Sequence, residues 1–442
     1  MGTDMTITVI ALGYVGLANA IVLAERGFQV VAYDKDAEKV NKLAKGEPSF
    51  EEKGLSEALK RNRKRITFTT DEKEAYEASP VVFVAVDTPS GADGAADLSH
   101  VEETVTCVKR YAKENTFVVI RSTVPVGTNK ALNESSSGTE KRIHFISNPE
   151  FMAEGHALMD ERSPSRIVVG TNDREARDLM RKIYAKPIFA GAPYYEMDGA
   201  SAELTKYASN LFLSLKISYI NEVARLAEPL GADIGAVALA MGADPRIGHS
   251  MLHAGVGFGG ACLPKDGSAF LKTAHDQGLR LSLVEDTLTI NQTQPFFFYQ
   301  KIIKKMGPLS GKKIAVLGLA FKAGTSDVRH SPAGFFVKSL LADGATVSSY
   351  DPSVTASESF SKQIPASERY LPSKTLGEAL TGADALLILT EAPEFSSFDE
   401  AALCSLMKGR VIFDGRNLYP MRNFHFFDYV SIGRSERKRE KS

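Results

Sequence analysis

Ile7-Thr8-Val9-Ile10-Ala11-Leu12-Gly13-Tyr14-Val15-Gly16 decides the architecture, together with the residues that carry it on to Asp34. The β-branched run at 7–12 predicts a buried strand. Gly13-Tyr14-Val15-Gly16 predicts a turn, 17–26 a helix that stops at Gly27, and 28–33 a second strand closing on Asp34. This is a βαβ unit with an acid about 20 residues past its glycine turn. Such a unit offers the free N–H groups of a helix N-terminus to a pyrophosphate and its acid to ribose hydroxyls. Asp34 also repels a 2′-phosphate, so the expected dinucleotide is NAD and not NADP. The fingerprint is incomplete, because position 11 is alanine, which fits the turn if its φ stays negative. A plain α/β packing turn is the competing reading of the same residues.

The pattern repeats outward. Apolar runs at 81–86, 117–120 and 145–146 lead into Asp87-Thr88-Pro89, Arg121-Ser122-Thr123 and Ser147-Asn148-Pro149-Glu150-Phe151. Ligands of open α/β sheets bind beyond the carboxyl ends of strands, which makes Thr88, Thr123, Glu150 and Glu154 candidates. Each is equally a turn or helix-cap residue by type. A second α/β unit starts at 312–321, continues as a helix at 333–341 and returns as a strand ending Tyr350-Asp351, as the first unit ends Tyr33-Asp34. Runs at 383–389 and 410–413 supply further strands. Between the halves, 201–230 has apolar residues at helical spacing, such as Leu204, Ala208, Leu211 and Leu215. Lys206 and Asn210 are one turn apart and share a face, either toward a site or toward solvent. The expected fold is α/β: two Rossmann-like doubly wound domains joined by a long central helix or helical domain. Its expected limits are 1–200, 201–300 and 301–442. The charged end, 434–442, is expected to fray.

Chemistry concentrates in Gly255-Val256-Gly257-Phe258-Gly259-Gly260-Ala261-Cys262-Leu263-Pro264-Lys265-Asp266. The glycines admit a close ligand, and a thiol beside a lysine is a candidate nucleophile. A glycine turn followed by a buried structural cysteine is the alternative. The totals exclude several classes. Of 442 residues 24% are charged and the formal net charge is -1, which favours neither nucleic acid nor an anionic membrane. Three distant cysteines, Cys107, Cys262 and Cys404, give neither a disulfide scaffold nor zinc spacing, and a reducing cytoplasm is expected. No run reaches the roughly 20 apolar residues of a membrane span.

Taken together, the chain resembles the UDP-glucose/GDP-mannose dehydrogenase family nearly end to end. The resemblance rests on Gly13-Tyr14-Val15-Gly16-Leu17, Ser122-Thr123-Val124-Pro125-Val126-Gly127-Thr128, Asn148-Pro149-Glu150-Phe151 with Glu154-Gly155, and Lys206-Tyr207-Ala208 with Asn210. Asn221-Glu222, Arg246-Ile247-Gly248, Gly259-Gly260 with Cys262, and Pro264-Lys265-Asp266 continue it. Gly318-Leu319-Ala320-Phe321-Lys322 with Arg329 and Asp414-Gly415-Arg416-Asn417 complete it. It implies a four-electron, NAD-dependent oxidation of a sugar C6 alcohol to a carboxylate, with UDP-glucose to UDP-glucuronate the leading case. Cys262 is then the nucleophile, passing through a thiohemiacetal and a thioester. The resemblance assigns Lys206 and Asn210 to oxyanions, Asp266 and Thr123 to water, and Glu150 to general base catalysis if its environment raises its pKa. It places Gly13, Tyr14, Val15, Asp34, Lys39, Thr88, Thr123, Glu154, Lys265 and Arg329 at NAD. It places Glu150, Phe151, Glu154, Lys206, Asn210, Met251, Leu252, His253, Ala254, Gly255, Gly259 and Lys322 at the nucleotide sugar. It also implies a homodimer through the central helix.

The departures from the family pattern are specific. Ala11 replaces a glycine, Asp87 stands before Thr-Pro where the family has glycine, and Ala153 replaces a basic residue. His253-Ala254 replaces Asn-Pro, His330 an acid and Ala392 a tryptophan. The first two define an alternative of another class, a nucleotide-sugar-binding protein with weakened NAD turnover. His253-Ala254 leaves the sugar open, and the base is not legible in the sequence, so GDP-mannose or another UDP-sugar stands as the alternative substrate.

Overall fold

The computed structural model describes residues 5–136, 141–419 and 424–440. The chain divides into two compact units, Met1–Ser209 with Ser268–Leu279, and Asn210–Gly267 with Arg280–Ser442. The cut between Ser209 and Asn210 falls inside one continuous helix, Gly199–Leu230.

The first unit is built on β1 (Thr6–Ile10), β2 (Gln29–Tyr33), β3 (Ile66–Thr69), β4 (Val81–Val84), β5 (Thr116–Ile120), β6 (Ile143–Ser147), β7 (Ile167–Gly170) and β8 (Tyr194–Met197). Among the described residues they form one sheet of order β3-β2-β1-β4-β5-β6-β7-β8. The strands pair parallel except that β6 meets β7 antiparallel at Ser147 and Gly170. Helices cover both faces, so central strands are apolar on both sides. In β4 all four residues are buried: Val81 and Phe83 belong to one core cluster, Val82 and Val84 to the other. This explains why these strands read as continuous apolar runs rather than alternating ones.

The second unit carries β9 (Lys313–Leu317), β10 (Thr346–Tyr350), β11 (Tyr370–Pro372), β12 (Ala385–Ile388), β13 (Val411–Asp414) and β14 (Asp428–Ser431). Their order is β11-β10-β9-β12-β13-β14, all parallel. Ile220, Ala224 and Ala227 of the long helix pack with Phe298 and Ile302 of helix Ser282–Met306 against Ile314, Val316 and Leu387. The charged end does not fray as expected. Arg437 pairs with Tyr429, the Arg439 amide donates to Asp428, and Arg434 lies 2.8 Å from Asp233. Residues 441–442 lie outside the described residues. No described helix is long and apolar enough to cross a membrane.

Candidate active site

In the first unit, β1 ends at Ile10 and the helix Tyr14–Arg26 starts directly after Gly13. No side chain caps that helix, and an uncapped helix N-terminus of this kind suits a ligand oxygen. A Cβ on Gly16 would lie 1.8 Å from the Ala11 carbonyl oxygen, so the turn demands glycine there. Ala11 itself has φ of 69°, which corrects the expectation of a negative value. Its amide donates to Tyr33 O at 2.9 Å, so the left-handed turn begins directly after the last bond of the parallel ladder. Left-handed backbone costs a non-glycine residue roughly 1 kcal/mol or more. Ala11→Gly is therefore expected to stabilise the first unit by about 0.5–1 kcal/mol after the unfolded-state entropy of glycine is subtracted. An unchanged or lowered urea midpoint would contradict the strain.

Asp34 follows β2 and binds the turn. Its Oδ2 accepts from Leu12 N at 2.9 Å and from Lys39 Nζ at 2.9 Å, and its Oδ1 accepts from Asp36 N at 3.0 Å. Burial works to raise the Asp34 carboxyl, but the Lys39 hydrogen bond and the two amides outweigh it and hold the group below the usual carboxylate range. An ionised acid at the glycine turn fits ribose hydroxyls and opposes a 2′-phosphate. In the second unit the Tyr-Asp ending closes on its turn in the same way and takes one backbone amide more. Asp351 Oδ2 accepts from both Leu319 N at 2.7 Å and Ala320 N at 3.0 Å. The turn after β9 is thus satisfied by the protein's own carboxylate.

Beyond β4 and β5, Thr88 Oγ1 donates to Thr123 O at 2.8 Å and joins the two loops. Asp87 is exposed. Beyond β6, Glu150 meets the long helix: Lys206 Nζ donates to Glu150 Oε1 and to Glu150 O, both at 2.7 Å. The pair is buried, with side chains 4% and 8% exposed. Burial pushes the Glu150 carboxyl up, yet the Lys206 charge and hydrogen bond, the Met152 amide and the Arg121 charge together hold it low. The raised pKa expected of a general base is absent, because the carboxylate has a cation against it. Phe151 packs under Arg166, 3.6 Å from its ring centre, and Lys206 Nζ lies 5.6 Å from the same centre. Glu154 sits in the adjoining turn, whose Gly155 amide donates to Glu52 at 2.9 Å.

In the second unit, Cys262 is exposed and sits one residue before helix Leu263–Asp276. Asp266, one turn into that helix, is 1% exposed. It accepts from Asn210 Nδ2 at 2.6 Å and from Lys265 Nζ at 2.7 Å. The loop ahead of the cysteine is fastened by amide side chains. Asn221 Oδ1 accepts from Gly255 N at 2.8 Å, Gln294 donates to Gly255 O at 2.9 Å, and Asn291 brackets Phe258 through both its amide atoms. Gly259 faces His330 O, which an added Cβ would meet at 2.3 Å. The Gly260 amide donates to Arg329 O. Arg329 itself holds Asp327 in a bidentate pair, and Lys322 Nζ stands 5.5 Å from the Phe321 ring centre. Met251 adopts a left-handed φ of 64° at the head of the loop, followed by buried Leu252 and Ala254.

The roles of Asn221, Asn291, Gln294 and Arg416 are not legible in the sequence. Arg416 donates to Leu389 O at 2.8 Å and Phe321 O at 3.0 Å, and so joins two loops of the second sheet. The quoted motifs contained Asn221 and Arg416. The amides on helix Ser282–Met306 gave no signal beyond their spacing.

An open, mostly parallel sheet with an uncapped helix after a glycine turn and an acid on that turn defines a dinucleotide-binding unit. Residues 5–188 match the NAD binding domain of the UDP-glucose/GDP-mannose dehydrogenase family, 200–293 its central domain and 315–421 its UDP binding domain. The chain is 41% identical to the UDP-glucose 6-dehydrogenase of Rhizobium meliloti (strain 1021), over 98% of this chain and 100% of that one. It is 38% identical to the UDP-glucose 6-dehydrogenase YwqF of Bacillus subtilis (strain 168), over 97% and 98%. Among solved structures, a UDP-glucose dehydrogenase from Pyrobaculum islandicum superposes with a TM-score of 0.88 at 36% identity, covering 97% of this chain and 98% of that one. The chain belongs to the UDP-glucose/GDP-mannose dehydrogenase family, whose cofactor is NAD.

Proposed function

We propose that this enzyme oxidises UDP-glucose to UDP-glucuronate, with Cys262 as its nucleophile. The observation that carries this reading is the setting of Cys262. It is an exposed thiol, reached by a loop in which Gly257 and Gly260 have positive φ and a Cβ on Gly259 would meet backbone at 2.3 Å, one helical turn from a buried Asp266–Asn210 pair. The near full-length relatives named for UDP-glucose support the substrate.

NAD, when bound, accepts a hydride in each of two oxidations. Gly13, Tyr14 and Val15 would hold its pyrophosphate on the uncapped helix, with Asp34 and Lys39 at a ribose. Thr88, Thr123, Glu154, Lys265 and Arg329 would complete that site. The first oxidation turns the C6 alcohol into an aldehyde. Cys262 Sγ bonds to the aldehyde carbon and gives a thiohemiacetal; loss of hydride from that carbon leaves a thioester. Water then attacks, the C–S bond breaks, the thiol is restored and the carboxylate remains. Lys206 and Asn210 stabilise the oxyanions by charge and hydrogen bonding. Asp266 and Thr123 orient the water. Glu150, held ionised, acts first as the partner that aims Lys206. Phe151, Glu154, Met251, Leu252, His253, Ala254, Gly255, Gly259 and Lys322 contact the nucleotide sugar in this reading. Residues 1–200, 201–300 and 301–442 then serve as NAD, connecting and nucleotide-sugar domains.

The test of substrate is NADH absorbance at saturating NAD with UDP-glucose, UDP-N-acetylglucosamine, UDP-galactose and GDP-mannose in parallel. UDP-glucose is expected to give the highest kcat/KM. Turnover confined to another sugar would move the assignment to that substrate and point to His253-Ala254. Silence on all four, with NAD bound, would favour a nucleotide-sugar-binding protein.

We further propose a homodimer through the central helix. Phe212, Tyr219 and Leu226 recur every seven residues on helix Gly199–Leu230, 62%, 49% and 61% exposed. A solvent-facing apolar stripe of that period suits a second copy of the same helix. Three cysteines in no disulfide support a reducing, cytoplasmic setting.

A further inference from the structure

Beneath Glu150 lies a buried polar network that the reaction scheme does not use. Arg121 follows β5 and is 4% exposed. Its Nη2 donates to Glu161 Oε2 at 2.6 Å, and its Nη1 donates to Asn148 Oδ1 at 3.1 Å and to Tyr184 OH at 3.0 Å. Tyr184 OH in turn donates to Asn148 Oδ1 at 2.6 Å, and Asn148 Nδ2 donates to Val168 O at 2.7 Å. Every polar atom of the Asn148 side chain is therefore held, two residues before Glu150. Glu161 is held from its other side by Asn19 Nδ2 at 3.1 Å and by Arg26, both on the helix Tyr14–Arg26. The five buried charges Arg26, Glu161, Arg121, Glu150 and Lys206 comprise three cations and two anions.

A network of this size is expensive to bury, the more so as Asn19 Oδ1, Arg26 Nη1 and Arg121 Nε within it have no hydrogen-bond partner among the described residues. A stable core does not need it, since apolar residues of similar volume would serve as well. What it supplies is a fixed register for one turn. We propose that Arg121 is a positioning residue for the reaction: acting through Asn148, with Tyr184 and Glu161 as its supports, it sets the Asn148-Pro149-Glu150 turn so that Glu150 aims Lys206. The proposal rests on the reading of Lys206 as an oxyanion partner. The two guanidinium nitrogens reach Glu161 on one side and Asn148 with Tyr184 on the other, whereas an ammonium carries its three donors on one nitrogen, so lysine at 121 keeps the charge and loses the register. Removing the charge altogether also relieves Glu150 of one of the cations that hold its carboxyl low.

The test uses the full chain with Arg121→Lys, Arg121→Met and Tyr184→Phe, and with Lys206→Ala in parallel. Tyr184→Phe deletes one donor to Asn148 and no charge, and it keeps the question answerable if the Arg121→Met protein does not fold. Arg121→Lys is expected to lower kcat by about tenfold or more, in line with the cost of small misplacements, with the NAD dissociation constant within about twofold. Tyr184→Phe is expected to give a smaller loss in the same parameter. Arg121→Met is expected to move the acidic limb of the kcat profile to higher pH, whereas Arg121→Lys leaves that limb in place. Folded Arg121→Lys and Tyr184→Phe proteins with unchanged kcat and pH profile would overturn the proposal if Lys206→Ala has lost activity. If Lys206→Ala is also active, the oxyanion reading itself falls.

Discussion

Cys262→Ser is expected to lose acid formation by about a thousandfold or more, with the fold and NAD binding intact. The residue is exposed, so the change removes no core contact and stability is expected to stay within about 0.5 kcal/mol. A serine hydroxyl is far less acidic than a thiol and a poor nucleophile without a dedicated base. In the proposed scheme the first hydride transfer does not involve the sulfur. The aldehyde is then formed but not trapped, and the second oxidation stalls. Rapid mixing with saturating NAD and UDP-glucose, followed by product analysis, separates the two steps. Full turnover to the carboxylate by the serine enzyme would remove Cys262 from the mechanism.

Lys206→Ala carries the second large effect, and it has two readouts. The substitution leaves the Glu150 carboxylate buried without its nearest cation, a loss of about 3–5 kcal/mol at neutral pH for a broken buried pair. It also removes a charge from the proposed oxyanion site, worth about a hundredfold to a thousandfold in kcat. The pH dependence distinguishes the stability effect from general damage. In the unaltered chain the Glu150 pKa is lowered in the fold. Its contribution is therefore present above the unfolded pKa of a glutamate and is lost as pH falls through the folded value. In the variant, burial acts with less opposition and raises the carboxyl, so the variant gains stability as pH falls. The difference between the two proteins is expected to shrink in acid and grow toward neutrality. Adding Glu150→Gln to Lys206→Ala is expected to restore part of the stability and none of the rate, measured by urea unfolding and NADH formation. A Lys206→Ala enzyme with unchanged kcat would contradict its proposed role.

Where the sequence was legible, physics made it so. The strands β1, β4, β9 and β12 are buried on both faces, and continuous apolar runs announce that. The ends of those runs misled by one or two residues, because apolar residues beyond the ladder, such as Leu12, Val86 and Leu389, also pack inward or lie half-buried. Asp34 was legible because a βαβ turn needs an acid at that distance. The Tyr350-Asp351 echo was legible too, but not its consequence, which lies in two backbone amides closing on one carboxylate. Pairings across long separations were not legible. Glu150 and Lys206 are 56 positions apart, as are Asn210 and Asp266, and no local pattern links either pair. The pKa of Glu150 follows the pairing, so the condition set for a general base could not be judged from sequence. The φ of Ala11 was hidden for a similar reason. It turns the chain from the end of the ladder into a helix whose Gly16 lies against the Ala11 carbonyl, against the preference of the residue itself.

The most direct test of the proposed chemistry is the number of NADH formed per UDP-glucose consumed, with the sugar product identified in the same reaction. Two NADH for each sugar and UDP-glucuronate as the product are the expected result. One NADH with an accumulating aldehyde would contradict the thioester route through Cys262, and sugar consumption without NADH would contradict the oxidation itself.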